Sequence, residues 1–378
     1  MMRGDQSWGP FAAFLWPALA LAAAGEVSLR IARELTGLAD AASDQEASDP
    51  DWTTPHAIAL ELDSVELRDF STDTSGPTML ICAPYALHRA MIADFAPTHS
   101  LVETLRGAGL TRLFVADWRS ATPAMRDFSI DTYLADLNVL VDHLGVPVNL
   151  IGLCQGGWLS LMYAARFPHK VRKLVLAGAP IDIAAGESSL SQAVASTPPE
   201  LFREVVRLGE GRVLGRRRFE AWCPAAPEAE GFRDILQLPD TTDTQALARL
   251  QTRFDVWHRA VLDLPGRYYL QAVEQFFRAN ELATGRFIAL GQRLDLSVVR
   301  APIHLLVARH DELVAPEQAL AAERLVGTQR KQRAKSVVPC RHLSLFMGRE
   351  VLAGTWPRVA AWLTQEVATD ETRVRSAA

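Results

Sequence analysis

Cys154 stands in the run VNLIGLCQGG, Val148 to Gly157, at the place where a G-x-S-x-G turn carries its serine. The apolar run ahead of it predicts a strand ending at Gly152, and a predicted helix begins at Trp158. A sharp turn from strand to helix strains the backbone of its central residue and tolerates only small neighbours, which Gly152, Gly156 and Gly157 supply. The same turn aims the backbone N–H of Gln155 at a developing oxyanion, beside the positive end of the helix. A cysteine so placed can attack an acyl carbonyl and hold the acyl group as a thioester, still activated for transfer to another acceptor.

Such a nucleophile needs a base, and the base needs an acid to orient it. Asp311 follows the predicted strand Ile303 to Ala308 in ARHDELVAP, and His342 follows Ser336 to Val338 in VVPCRHLSLF. Nucleophile, acid and histidine therefore come in the order that a strand–turn–helix elbow requires. His342 would take the thiol proton, and Asp311 would fix its tautomer. Read alone, Asp311 is a surface turn carboxylate and His342 a satisfied polar group under the sheet edge. The segment ICAPYALHRA ends another strand, and the N–H of Tyr85 or Ala86 is the expected second oxyanion donor. His88 either lines the entrance or caps a helix. Asp117 and Trp118 end a strand at the carboxyl edge of the sheet, where they either shape a substrate pocket or cap a turn. His310 is expected in solvent and Cys340 in packing. With no Gly-rich phosphate loop, metal spacing or nicotinamide fingerprint, no cofactor is expected.

These residues need a sheet to carry them. Ala57 to Leu62, Thr78 to Ala83, Arg112 to Ala116, Val148 to Leu153, Lys173 to Ala177 and Ile303 to Ala308 read as buried parallel strands. Helical stretches such as Ile130 to Leu144 and Trp158 to Phe167 give the alternation of a doubly wound, mostly parallel α/β sheet. Between roughly Ile183 and Leu290 the rhythm breaks into amphipathic helical pieces, with three arginines at 216 to 218, and an inserted helical cap over Cys154 is expected. The chain divides into an N-terminal helical segment and acidic linker (1–54), a first core part (55–183), the cap (184–290), a second core part (291–366) and a flexible tail (367–378).

The 378 residues are 49% hydrophobic and 22% charged, a soluble globular mix. A net charge of -5 excludes a nucleic-acid binder held by phosphate contacts. Four cysteines, at 82, 154, 223 and 340, have neither disulfide-framework nor zinc spacing, so free thiols in the reducing cytoplasm are expected. The apolar run from Pro10 to Gly25 falls short of the roughly 20 residues that span a bilayer. It has the general form of a signal peptide, but Asp5, Pro17 and continued helical spacing to Leu38 favour a helical segment that packs on the body or on an apolar surface. The stretch from Asp40 to Asp51, with five acids and Pro50, reads as an exposed linker.

The segments LFVADW, FSIDTYLADLNVLVDHLG, VNLIGLCQGGWLSLMYAARFPHKVRKLVLAGAPIDI and LDLSVVRAPIHLLVARHDELVAP, with the stretch around His342, resemble polyhydroxyalkanoate synthases of the α/β-hydrolase fold, especially the short two-component type, from about residue 77 to 365. The resemblance implies a 3-hydroxyacyl-CoA substrate, Cys154 carrying the growing chain, His342 activating it and Asp311 helping to deprotonate the incoming hydroxyl. It also implies a polyester granule as a place of work, reached through the N-terminal segment, and leaves a partner subunit or homo-oligomer open. AVLDLPGRYYLQAVEQFF and PCRHLSLFMG equally resemble intracellular polyhydroxyalkanoate depolymerases, and Arg341 stands where the synthases usually carry glycine. Gly156 and Gly157 after Gln155 match the synthase box better. Dienelactone hydrolases share the G-x-C-x-G-G box but are much shorter and lack a cap. A non-catalytic granule-associated protein on the same scaffold is the reading from another class.

Overall fold

The computed structural model describes residues 51–86, 88–215 and 229–366. The N-terminal segment and linker up to residue 50, the arginines at 216 to 218 and the tail from 367 lie outside the described residues.

Eight strands form one sheet: β1 (Ala57–Glu61), β2 (Val65–Asp69), β3 (Met79–Cys82), β4 (Leu113–Trp118), β5 (Val148–Leu153), β6 (Val171–Ala177), β7 (Ile303–Ala308) and β8 (Arg333–Val338). Their spatial order is β1-β2-β4-β3-β5-β6-β7-β8. From β4 to β8 every neighbour is parallel, and β1 and β2 extend that block as antiparallel strands. Strands β3, β4, β5 and β7 bury every residue, as expected of continuous Val/Ile/Leu runs covered on both faces.

Helices α1 (Leu101–Gly107), α2 (Ile130–Leu144) and α3 (Gln155–Arg166) follow β3, β4 and β5. In α2 the buried residues Ile130, Tyr133, Leu134, Leu137, Leu140, Val141 and Leu144 recur at helical spacing, after Ser129 accepts the Thr132 N–H as an N-cap. Between β6 and β7 the chain leaves the sheet. Here the described residues form α4 (Ser189–Ser196), α5 (Pro199–Leu208), α6 (Ala229–Leu236), α7 (Thr244–Arg259) and α8 (Gly266–Gln271), which runs into a π-helical turn, Ala272–Arg278. A last helix, α9 (Trp356–Thr364), packs against α1.

The expectation for Ala57 to Leu62 is corrected: this segment is an antiparallel edge strand, not a buried parallel one, and Ile58 remains 46% exposed. Its apolar letters imitate a core strand, but β2 lies on one side of it only. β2 itself escaped reading because its apolar residues alternate with charges, V-E-L-R-D, burying Val65 and Leu67 alone.

Lys173, in the middle of β6, is buried, and its Nζ donates to the carbonyls of Trp362 at 2.6 Å, Leu363 at 3.3 Å and Gln365 at 2.6 Å. These carbonyls lie at the end of α9, where backbone acceptors lack helical partners. One cation thus fastens the last helix to the sheet. Replacing it by methionine (Lys173→Met) keeps the stem but not the donors, and should cost about 2 kcal/mol in urea unfolding, the order of a charge-assisted hydrogen-bond set. An unchanged urea midpoint would show that the clamp contributes nothing.

Candidate active site

Cys154 caps the N-terminus of α3 with φ 48° and ψ −116°, a backbone conformation that costs a non-glycine residue about 1–3 kcal/mol. Its N–H donates to the Ala177 carbonyl at 2.8 Å, and its carbonyl accepts the Gly157 N–H at 2.9 Å. The turn is held from outside by close packing. A Cβ on Gly156 would lie 2.1 Å from the Cys82 carbonyl oxygen, and one on Gly152 would lie 2.4 Å from the Gly157 Cα. No side chain fits at either place.

The loop after β7 carries Asp311 and the loop after β8 carries His342. Asp311 Oδ1 accepts the N–H groups of Leu313 and Val314, both at 2.9 Å, which leaves Oδ2 to accept from His342 Nδ1 at 2.7 Å. The two side chains are 2% and 1% exposed, so the pair is sealed from water. Burial alone would push the His342 pKa down, but the Asp311 carboxylate and then Cys154 outweigh it, and the net shift is well upward. His342 Nε2 is buried, and Cys154 acts on the ring both by charge and by hydrogen bonding. Gly178, just past β6, completes the surroundings: its absent side chain leaves space that a Cβ would occupy 3.1 Å from His342 Cε1.

A second carboxylate was not foreseen. Glu312 Oε2 accepts the backbone N–H of His342 at 3.4 Å, and burial, then the neighbouring Asp311, raises its pKa. Only its adjacency to Asp311 after a strand could have signalled it.

The remaining expected residues divide. Tyr85 and Ala86 are buried at the end of β3, and Gln155 is buried with its Nε2 donating to Tyr268 Oη at 2.9 Å. Trp118 donates its indole N–H to the Ala83 carbonyl at 2.9 Å, so it supports the loop that carries Tyr85 and Ala86. Asp117 is engaged elsewhere: its Oδ2 accepts from Arg68 Nε at 2.7 Å, across the antiparallel pair of β2 and β4. His88 forms an isolated antiparallel bridge with Val261. It is buried, stacked on Trp257 with centroids 4.5 Å apart, and its Nε2 lies 3.2 Å from Nδ1 of His258 on α7. His310 is exposed. Cys340 is buried, and burial, then Asp311 and Glu312, push its thiol pKa up to about 12. Tyr133 on α2, Asp263 between α7 and α8, and Tyr268 on α8, which meet the Tyr85 loop, were not singled out from the sequence.

Among the described residues no group of three or more His, Cys, Asp or Glu side chains could hold a metal ion, and no helix is long and apolar enough to cross a membrane. A family model described as alpha/beta hydrolase fold matches residues 112–348. Curated relatives named poly(3-hydroxyalkanoate) polymerase subunit PhaC include that of Synechocystis sp., 28% identical over 82% of this chain and 85% of the relative. That of Haloferax mediterranei is 24% identical over 90% and 71%, and that of Allochromatium vinosum 26% over 76% and 81%. Among solved structures, a monoacylglycerol lipase of Paleococcus ferrophilus superposes with a TM-score of 0.53 at 18% identity, over 79% of this chain and 98% of the lipase, a likeness of fold.

The His88–His258 contact makes a pH dependence. Burial, then His258, lowers the His88 pKa well below its usual value, and burial, then Arg259, lowers that of His258 to about 4. Both rings take up protons on unfolding below about 6.5, so their contribution is complete above that pH and is lost as the pH falls toward 4. The melting temperature should drop between pH 7 and pH 5, and drop less in His258→Gln. Parallel curves for the two proteins would remove the pair from the acid sensitivity.

Proposed function

Because the chain belongs to the alpha/beta hydrolase fold family, we propose that it is an acyl-transfer enzyme acting on hydroxyacyl thioesters through a Cys154–His342–Asp311 triad. The observation that carries this reading is Cys154 at a strained strand-to-helix turn, electrostatically coupled to a buried His342 that Asp311 holds by a 2.7 Å hydrogen bond. The polymerase relatives support the hydroxyacyl-CoA substrate.

In the first half-reaction Cys154 Sγ attacks the thioester carbonyl of the hydroxyacyl-CoA while its proton passes to His342 Nε2. The N–H groups of Gln155 and of Tyr85 or Ala86 stabilise the oxyanion. Collapse breaks the bond to the coenzyme A sulfur, which leaves with the proton from His342, and the acyl group stays on Cys154. The hydroxyl of an incoming hydroxyacyl-CoA then attacks this thioester, giving its proton to His342, and the new ester forms as the Cys154 sulfur departs and recovers the proton, so that the lengthened chain, now a coenzyme A thioester, can be taken up by Cys154 again. Asp311 stays ionised throughout, orienting the ring and stabilising the imidazolium. No cofactor enters these steps.

Water competes for the acyl group at about 55 M in bulk, and orientation offsets this, since well-placed groups reach effective molarities of roughly 10⁵ M or more. On this reading residues 184–290 act as the cap that keeps water from Cys154. The relatives' designation as a subunit supports a partner chain, and on this reading the enzyme works in the cytoplasm at a polyester granule. Asp117, held by Arg68, is assigned no part in substrate binding, and His88 contributes through the cap.

Hydrolysis is the second reading, favoured by Arg341 where the synthase resemblance expects glycine. After a quench with 3-hydroxybutyryl-CoA, mass spectrometry should find the acyl group on Cys154, and full turnover with unmodified Cys154 would refute the covalent route. His342→Gln should lower turnover by about a thousandfold or more; ordinary activity would remove His342 from the mechanism. Coenzyme A release should exceed release of free 3-hydroxy acid, with oligomer making up the difference. A one-to-one match, also after addition of candidate partner subunits, establishes the hydrolase instead.

A further inference from the structure

The two proposed oxyanion donors belong to different loops, one after β3 and one after β5, and their spacing has to be set by something. Each loop sends a buried side chain to the same short stretch, Asp263 to Tyr268, which joins α7 to the first turn of α8. Tyr85 Oη donates to the Asp263 carbonyl at 3.3 Å, and Gln155 Nε2 donates to Tyr268 Oη at 2.9 Å. The rings of Tyr85 and Tyr268 are themselves 5.3 Å apart, and Tyr133 packs on both, at 4.7 and 4.8 Å.

This stretch is not free to follow the cap. The Asp263 carbonyl accepts the Ala121 N–H at 2.9 Å, the Asp263 N–H donates to Ser120 Oγ at 2.9 Å, and the Tyr268 N–H donates to the Phe128 carbonyl at 3.0 Å. Arg212 and the Gly215 N–H hold the Asp263 carboxylate at 3.1 and 2.8 Å. The bonds to Ser120, Ala121 and Phe128 thus lace residues 263–268 to the loop after β4, while Arg212 and Gly215 fix the Asp263 side chain within the insertion.

We propose that Asp263–Tyr268 is a fixed strap that spaces the oxyanion hole, with the hydroxyls of Tyr85 and Tyr268 as its two positioning groups. The inference rests on the acyl-transfer reading and deepens it. Donors must lie within about 2.7–3.1 Å of the oxyanion to act, so a loop released by a few tenths of an ångström loses much of its effect. Gln155 is the sensitive point. Its side chain is tied to the strap by the Nε2 hydrogen bond to Tyr268 while its backbone continues the strained turn of Cys154, and among the described residues its buried Oε1 has no partner that would hold the side chain if the Tyr268 contact were lost.

Two reactions of Cys154 separate this role from simple support of the fold. Release of p-nitrophenolate in the burst from a p-nitrophenyl ester requires an oxyanion, whereas alkylation by iodoacetamide requires only a reactive thiolate. Tyr268→Phe and Tyr85→Phe, which keep their rings, should each slow the burst by about tenfold or more and leave alkylation within about twofold. The double variant should lose less than the product of the two, because both act on one geometry. An unchanged burst in both single variants overturns the proposal. So does a parallel fall of burst and alkylation, which would place the hydroxyls behind the thiolate instead. A wild-type enzyme that is alkylated at Cys154 but gives no acyl burst refutes the acyl-transfer reading itself, and is thereby told apart from failure of the strap.

Discussion

The contact between the first turn of α3 and the end of β3 governs the geometry of the site. At Gly156 the helix backbone comes so near the Cys82 carbonyl that a methyl group would sit 2.1 Å from its oxygen. That approach brings the start of the helix onto the end of β3, ahead of the loop carrying Tyr85 and Ala86, with Gly152 packed closely behind it, and Cys154 between them takes a positive φ of 48°. The strain is local, and the cost is offset by α3, whose residues Gln155 to Ala165 are all buried. The elbow is therefore a product of packing across two strands rather than a property of five letters.

Electrostatics around His342 follow from the same enclosure. A cation removed from water is stable only beside a compensating anion, and Asp311 is prepared for that by two backbone N–H groups that fix its other oxygen. Glu312 adds a carboxylate whose pKa is raised, which limits the negative charge collected in one buried place. The thiols of Cys82 and Cys340 are pushed up to about 12 chiefly by burial, and neither lies at a strand-to-helix turn.

What the sequence revealed and what it hid can be traced to the range of the interactions involved. The turn at Cys154 was legible because its strand, glycines and helix are contiguous. Asp311 and His342 were legible because each follows a strand in a fixed order along the chain, and the structure brings these two into contact. β2 was hidden because three of its five residues, Glu66, Arg68 and Asp69, are charged, and β1 was misjudged because an edge strand can be written in the letters of a core strand. The surroundings of His88 were not legible because the rings that bury it, Trp257 and His258, lie about 170 positions away and carry no local signal. Tyr268 escaped for the same reason: its partner Gln155 precedes it by 113 positions.

Lacing residues 263–268 to the core divides the insertion into parts of different standing for recombination among relatives. Helices α4 and α5 come before the laced stretch and meet it through Arg278, which donates to the Val194 and Thr197 carbonyls, and through Phe202 against Tyr269, so they exchange only together with those contacts, while the run from Asp263 through the π-helical turn, whose Phe276 stacks on Trp158 of α3, belongs with the catalytic scaffold despite its position in the chain. A chimera joined before Asp263 would inherit the donor's outer surface and keep the recipient's chemistry. One joined after Arg278 would import both, and its turnover would follow the parent that supplied the shorter, inner piece.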